Sequence, residues 1–192
     1  MQINRTATSS SLLGTSYTLT TGSKRYLLFM ANEIPATAPT INGETMTVLE
    51  SVSDTFAAVA YGLVVPDSWS GALTVSGSNV RYEKYEFENV DPNNPVLDSG
   101  SHIDDSADIS ESLSVDCLQD GWVQDVIGVN TSPTKGANQT LDRTGSTLGT
   151  SHYTTPANGS ITMSWSWSGN SDTAMVVVSL KNYRQPVSVI WF

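Results

Sequence analysis

Cysteine is almost missing from this 192-residue sequence: Cys117 stands alone, so no disulfide can form within the chain. Basic residues are scarce as well. Nine Lys and Arg face nineteen Asp and Glu, a formal charge of -10 that repels phosphate backbones and anionic lipid and disfavours nucleic-acid and membrane-surface partners. No run approaches the roughly 18 apolar residues of a membrane helix. The opening residues 1–14 lack the apolar core of a signal peptide, so a soluble chain that keeps its first residues is expected. The two histidines, His102 and His152, stand in no metal-ligand spacing. Serine is plentiful, yet the G-x-S-x-G turn of a serine hydrolase does not occur. Neither an amphipathic helix nor an internal repeat emerges from the pattern.

What the sequence has in abundance is Ser, Thr, Asn and Gly, arranged as short strand patterns between turn signals. Residues 26–31 (YLLFMA) and 174–180 are apolar on both parities and read as central strands covered on both sides. Ile161, Met163, Trp165 and Trp167 alternate with polar residues and give one apolar face. Asn42-Gly43 marks a hairpin. In residues 80–87 the apolar parity slips between Val80/Tyr82 and Tyr85/Phe87, which predicts a bulge or a twist near Glu83 and Lys84 before the rigid turn at residues 91–95. Residues 98–110 read as a long loop. The whole predicts an all-β, antiparallel two-sheet β-sandwich of jelly-roll or other Greek-key type. Its expected limits are a polar N-terminal arm over residues 1–11, one sandwich over 12–181 and a C-terminal extension over 182–192.

Three groups of residues could carry chemistry or binding. Glu83, Glu86, Glu88, Asp116 and Asp125 lie on strand-like segments, where paired carboxylates serve some sandwich-fold glycosidases. Glu86 and Glu88 oppose Tyr85 and Phe87 in parity and are expected to face water. Asp104, Asp105, Asp108 and Glu111 form the densest oxygen cluster, a calcium candidate without EF-hand spacing, for which a solvated acidic loop is the plainer account. Twelve of the nineteen acids fall between Glu83 and Asp125, with Lys84 as the only base among them. Trp69, in a turn, is the candidate surface aromatic for stacking on sugar, whereas Trp165 and Trp167 belong to a core face. Asn4, Asn130, Asn138 and Asn158 match N-x-[ST], as chance allows in so Ser- and Thr-rich a chain. No cofactor is implied.

The succession of motifs resembles a known family. It comprises Ser23-Lys24-Arg25-Tyr26-Leu27-Leu28-Phe29, then Ile41-Asn42-Gly43 through Thr47, then Gly71-Ala72-Leu73-Thr74-Val75-Ser76. Val90-Asp91 with Pro95 and the strand from Gly159 to Trp165 complete it. This order is similar to β-sandwich domains of bacteriophage structural proteins, also found in some secreted bacterial proteins, over roughly residues 12–181. Asn42-Gly43 stands where that family has Gly-Gly. The resemblance implies a non-enzymatic virion protein, and a capsid decoration or cement protein fits best. Such a protein would form a homo-oligomer on the shell of a major capsid protein or against other virion proteins. Ile3 in the arm and Val187, Val189, Ile190, Trp191 and Phe192 in the tail are the expected partner-binding residues. A carbohydrate- or host-surface-binding module of a tail or secreted protein is the alternative.

Overall fold

Two halves built alike flank the turn at residues 91–95. The structure, a computed structural model, describes residues 1–14, 16–78, 80–105 and 108–184, and every regular element among them is a strand. The first half contains β1 (Asn4–Leu12), β2 (Ser16–Thr18), β3 (Tyr26–Ala31), β4 (Thr40–Ile41), β5 (Glu44–Thr45), β6 (Thr47–Ser53), β7 (Ala57–Val64), β8 (Ala72–Ser76) and β9 (Arg81–Glu88). They form a five-stranded sheet ordered β1-β9-β3-β7-β6, faced by a four-stranded sheet ordered β2-β8-β4-β5. The second half contains β10 (Val96–Asp104), β11 (Ser110–Cys117), β12 (Trp122–Val129), β13 (Thr134–Lys135), β14 (Thr140–Thr144), β15 (Leu148–Thr154), β16 (Gly159–Ser166) and β17 (Thr173–Leu180). Its sheets run β10-β17-β12-β15-β14 and β11-β16-β13. Strand for strand the order is the same, except that the first half adds β5.

The registers agree in detail. Tyr26 pairs with Phe87 and Val64 as Trp122 pairs with Leu180 and Thr154. The β1/β9 ladder shifts between Arg5 and Ala7, opposite Phe87 and Glu86; the β10/β17 ladder shifts between Val96 and Asp98, opposite the equivalent Leu180 and Ser179. The β6/β7 ladder shifts between Val48 and Glu50, and the β14/β15 ladder at the equivalent Leu141 and Arg143. Lys24 and Asp120, each two residues before the paired aromatic, both hold positive φ, at 52° and 63°. Two bulges and a strained turn at matching positions are more than two generic sandwiches would share. The sequence pattern, in which no repeat was expected, conceals a structural duplication.

Three cores follow from this stacking. The first half encloses Leu27, Phe29, Tyr61, Leu73 and Tyr82; the second encloses Val123, Ile127, Met163, Trp165 and Val177. Between the two five-stranded sheets lies a third core, with Tyr26, Leu28, Met30, Tyr85 and Phe87 meeting Trp122, Val126, Val176, Val178 and Leu180. The contacts across it are reciprocal. β1 of the first half reaches β14 of the second through Arg5 and Asp142, and β10 of the second reaches β6 of the first through Ser101 Oγ, which donates to Glu50 Oε1 at 2.9 Å. Reciprocal contacts of this kind are what an approximate two-fold relation between two like units gives.

The stacking also corrects several expectations. Residues 26–31 and 173–180 are buried on both faces because each central strand serves two cores. For the same reason the parity slip in β9 is no bulge: its register with β3 is continuous, Tyr82 faces the first core, and Tyr85 and Phe87 face the middle one. Residues 4–12 are no arm but the edge strand β1, and residues 96–104 are no loop but the edge strand β10. Edge strands need only backbone pairing, so their polar side chains hid them. Asn42 and Gly43 do turn a hairpin, with φ of 49° and 83°.

Candidate functional site

Burial and charge meet first at the seam between the halves. Asp142 accepts hydrogen bonds from Arg5 Nη1 and, at 2.8 Å, from Gln124 Nε2, while His152 Nδ1 lies 2.8 Å from its Oδ1. Burial alone raises the Asp142 pKa, but His152, Gln124 and Arg5 outweigh it and hold the carboxyl below its usual range. Trp122 stacks on His152 at 4.4 Å, and the Arg5 guanidinium lies 5.2 Å from the Trp122 ring. Beside them Arg143 Nη1 and Ser10 Oγ each donate to Glu83 Oε1 at 2.6 Å, yet burial still lifts the Glu83 pKa. Every polar group named here ties one half to the other or locks a strand at the seam. Breaking such a buried pair from one side costs about 3–5 kcal/mol.

Asp125 occupies a different compartment, inside the second half. Its side chain is fully buried and accepts from Ser151 N (2.7 Å), Ser151 Oγ (2.9 Å), Trp165 Nε1 (2.9 Å) and Gln139 Nε2 (3.0 Å). Desolvation outweighs these bonds and pushes its pKa up to about 7. Asp116 is exposed on β11. Glu83, Asp116 and Asp125 therefore face the seam, solvent and the second core respectively, and the fold builds no shared cleft from the carboxylates considered for glycoside hydrolysis. Glu86, expected to face water, is fully buried and accepts from Thr20 N and Oγ1 and from Tyr17 Oη. The parity rule failed there because both faces of β9 are covered from Tyr82 to Phe87.

The acidic cluster is partly assembled. His102, Asp104, Asp108 and Glu111 line one open polar cavity of about 630 Å³ with Ser110 and Ser112, whereas Asp105 is exposed. Asp105 is raised by loss of hydration and by the carboxylates of Asp54, Asp172 and Asp104, so acids from separate loops crowd this end. His102 Nδ1 lies 2.8 Å from Glu111 Oε2, and Ser112 N donates to Glu111 Oε1. Among the described residues no group of three His, Cys, Asp or Glu is arranged to hold a metal ion. His102 and His152 pair with different carboxylates and do not converge.

The remaining expectations separate clearly. Ile3 is 1% exposed inside the middle core, so its side chain is committed to this chain rather than offered to a partner. Val187, Val189, Ile190, Trp191 and Phe192 lie outside the described residues. Trp69 is half-buried against the first core and lines a cavity of about 300 Å³ beside Arg25. Sequence reasoning passed over Arg25, Asp142 and Gln139, whose roles depend on contacts up to 137 residues away. Only the rarity of basic residues could have flagged Arg25 and Arg5.

Compared with protein-family models, with curated proteins and with solved structures, the chain matches none.

Proposed function

We propose that this chain is a non-enzymatic structural protein of a bacteriophage particle, a decoration protein seated on the outside of the capsid shell. The observation that carries the reading is the employment of its buried acids. Asp125, Asp142, Glu83 and Glu86 each serve hydrogen bonds that hold strands, sheets or halves together. A catalytic carboxylate pair must instead share a cleft open to substrate. Two sandwiches joined through a third core bury apolar surface both within and between the halves, which suits a part that reinforces an assembly. The resemblance over residues 12–181 supports the same role.

Purified particles test it. Quantitative mass spectrometry should find the chain in fixed proportion to the major capsid protein, and electron microscopy should place it on the shell exterior. Particles that lack it, or that carry it only at the tail, would sink the reading. Static light scattering of the isolated protein tests the expected self-association.

A second reading, a carbohydrate-binding module, is favoured by one specific feature, the cavity that joins Trp69 to Arg25.

A further inference from the structure

Because the chain contains the same sandwich twice, each half shows what the fold itself requires. The corner between β2, β3, β7 and β8 recurs between β11, β12, β15 and β16. Val65 N donates to Arg25 O as Thr155 N donates to Gly121 O, and Leu19 N donates to Gly71 O where Cys117 pairs with Gly159. Arg25 and Gly121 are therefore equivalent, as are Pro66 and Pro156. The second half closes this corner tightly. Gly121 N donates to Leu118 O at 3.0 Å, Thr155 Oγ1 also bonds Leu118 O, and a Cβ on Gly121 would come within 2.9 Å of that oxygen. Four residues, 156–159, complete its loop.

The first half uses six residues, 66–71, and the longer loop brings in Trp69. Arg25, 5% exposed, fills the space that Gly121 leaves to backbone. Its Nη1 donates to Thr20 O and its Nη2 to Trp69 O, so the side chain spans the cavity between the two loops. Two of the five donors on the guanidinium fork are used this way, and Nε is buried without a partner. Among the described residues the arginine ion pairs are those of Arg5 and Arg143; Arg25 has none. Glu86 reaches it only through Thr20, to which both bond. Asp67 at the rim is 72% exposed in its side chain and lies 3.8 Å from Lys24.

The second half builds this corner with neither an arginine nor a tryptophan, whereas the first half places both on one cavity of about 300 Å³ with Thr20, Thr21 and Ser70. We propose that the corner binds an acidic sugar, with the carboxylate of a uronic acid on the Arg25 fork and the face of its ring on Trp69. A planar fork suits a carboxylate in two-point contact, an indole suits the C–H face of a pyranose, and hydroxyls at the rim suit its polar edge. The inference rests on the carbohydrate-binding reading and narrows it to a charge class.

Isothermal titration of the full chain with galacturonate and glucuronate oligosaccharides, and with their neutral galactose and glucose counterparts, tests it. Saturable binding of a uronate, at least tenfold tighter than its neutral counterpart, is expected. Trp69→Ala should weaken it at least tenfold, and Arg25→Lys, which keeps the charge but loses the fork, should erase the preference for uronate. Should Arg25→Lys fail to fold, Trp69→Ala decides alone, since Trp69 sits in a loop two residues longer than its counterpart in the second half. Equal binding of neutral and acidic sugars would overturn the acidic-sugar inference and leave the carbohydrate reading standing. No binding of either class would overturn both, and uronate binding untouched by Trp69→Ala would overturn the assignment to this corner.

Discussion

At the position where β3 of the first half carries Phe29, β12 of the second carries Asp125. Both residues point into their own sandwich, and both pair with equivalent neighbours, Tyr61 and Ser151. Phe29 packs against Tyr17 and Tyr82 with ring centroids 6.0 and 5.9 Å away, whereas Asp125 organises Ser151, Trp165 and Gln139 by hydrogen bonds. One topology therefore holds with an aromatic cluster or with a buried carboxylate at the same point. Strand order and register depend on pairing, parity and turns, while the chemistry of each core is settled by its own neighbours.

The strongest way to break the comparison is to exchange the two chemistries. Phe29→Asp buries a carboxylate among tyrosines, with the Lys84 ammonium, now 5.9 Å from the Phe29 ring, as the cation beside it, and should cost more than about 4 kcal/mol. Urea unfolding should show the variant largely unfolded at neutral pH. Next in size is the seam: Asp142→Ala leaves Arg5 without its carboxylate and removes one of the two acceptors of Gln124 Nε2, and should cost about 3–5 kcal/mol in the same assay.

Acidity sharpens the contrast. Asp125 has a folded pKa near 7, above its unfolded value of about 3.9, so its stabilising contribution is complete below about pH 4 and declines as pH rises toward 7. Asp142 has a lowered folded pKa, so its contribution is present above about pH 4 and is lost as pH falls further. Urea midpoints measured from pH 4 to 8 should therefore fall less steeply in Asp125→Asn than in the parent chain. An unchanged slope would show that Asp125 stays ionised across that range.

Smaller effects probe other equivalent positions. Gly62 and His152 correspond, and each adjoins the paired aromatic: a Cβ on Gly62 would lie 1.8 Å from Tyr26 Oη, while His152 stacks on Trp122. Gly62→Ala should cost about 1–3 kcal/mol by forcing the buried Tyr26 ring aside, read as a lower melting temperature. Smallest of all, Lys24→Gly relieves a positive φ and should stabilise by up to about 1 kcal/mol, more than Asp120→Gly, because Asp tolerates that region better than Lys.

Much of the fold was legible in the residues, and the reason lies in parity. The two-sided apolar runs of β3 and β17, the alternation of β16 and the Asn42-Gly43 turn each state their structure locally. The duplication was not legible. Its equivalent pairs, Tyr26 with Trp122, Phe29 with Asp125 and Gly62 with His152, share place but not chemistry, and only short traces such as Gly71-x-x-Thr74-x-Ser76 and Gly159-x-x-Thr162-x-Ser164 repeat in letters. The seam and the Arg25 corner were hidden for a related reason: they join residues that only long-range pairing brings together.

The duplication is the central claim, and cross-strand backbone NOEs in a uniformly labelled sample test it most directly. Tyr26 is expected opposite Phe87 and Trp122 opposite Leu180, with the ladders skipping one residue at Leu49 and at Asp142 and again at Thr6 and at Leu97. Ladders that skip at unmatched positions, or that interleave strands of the two halves within one sheet, would contradict it.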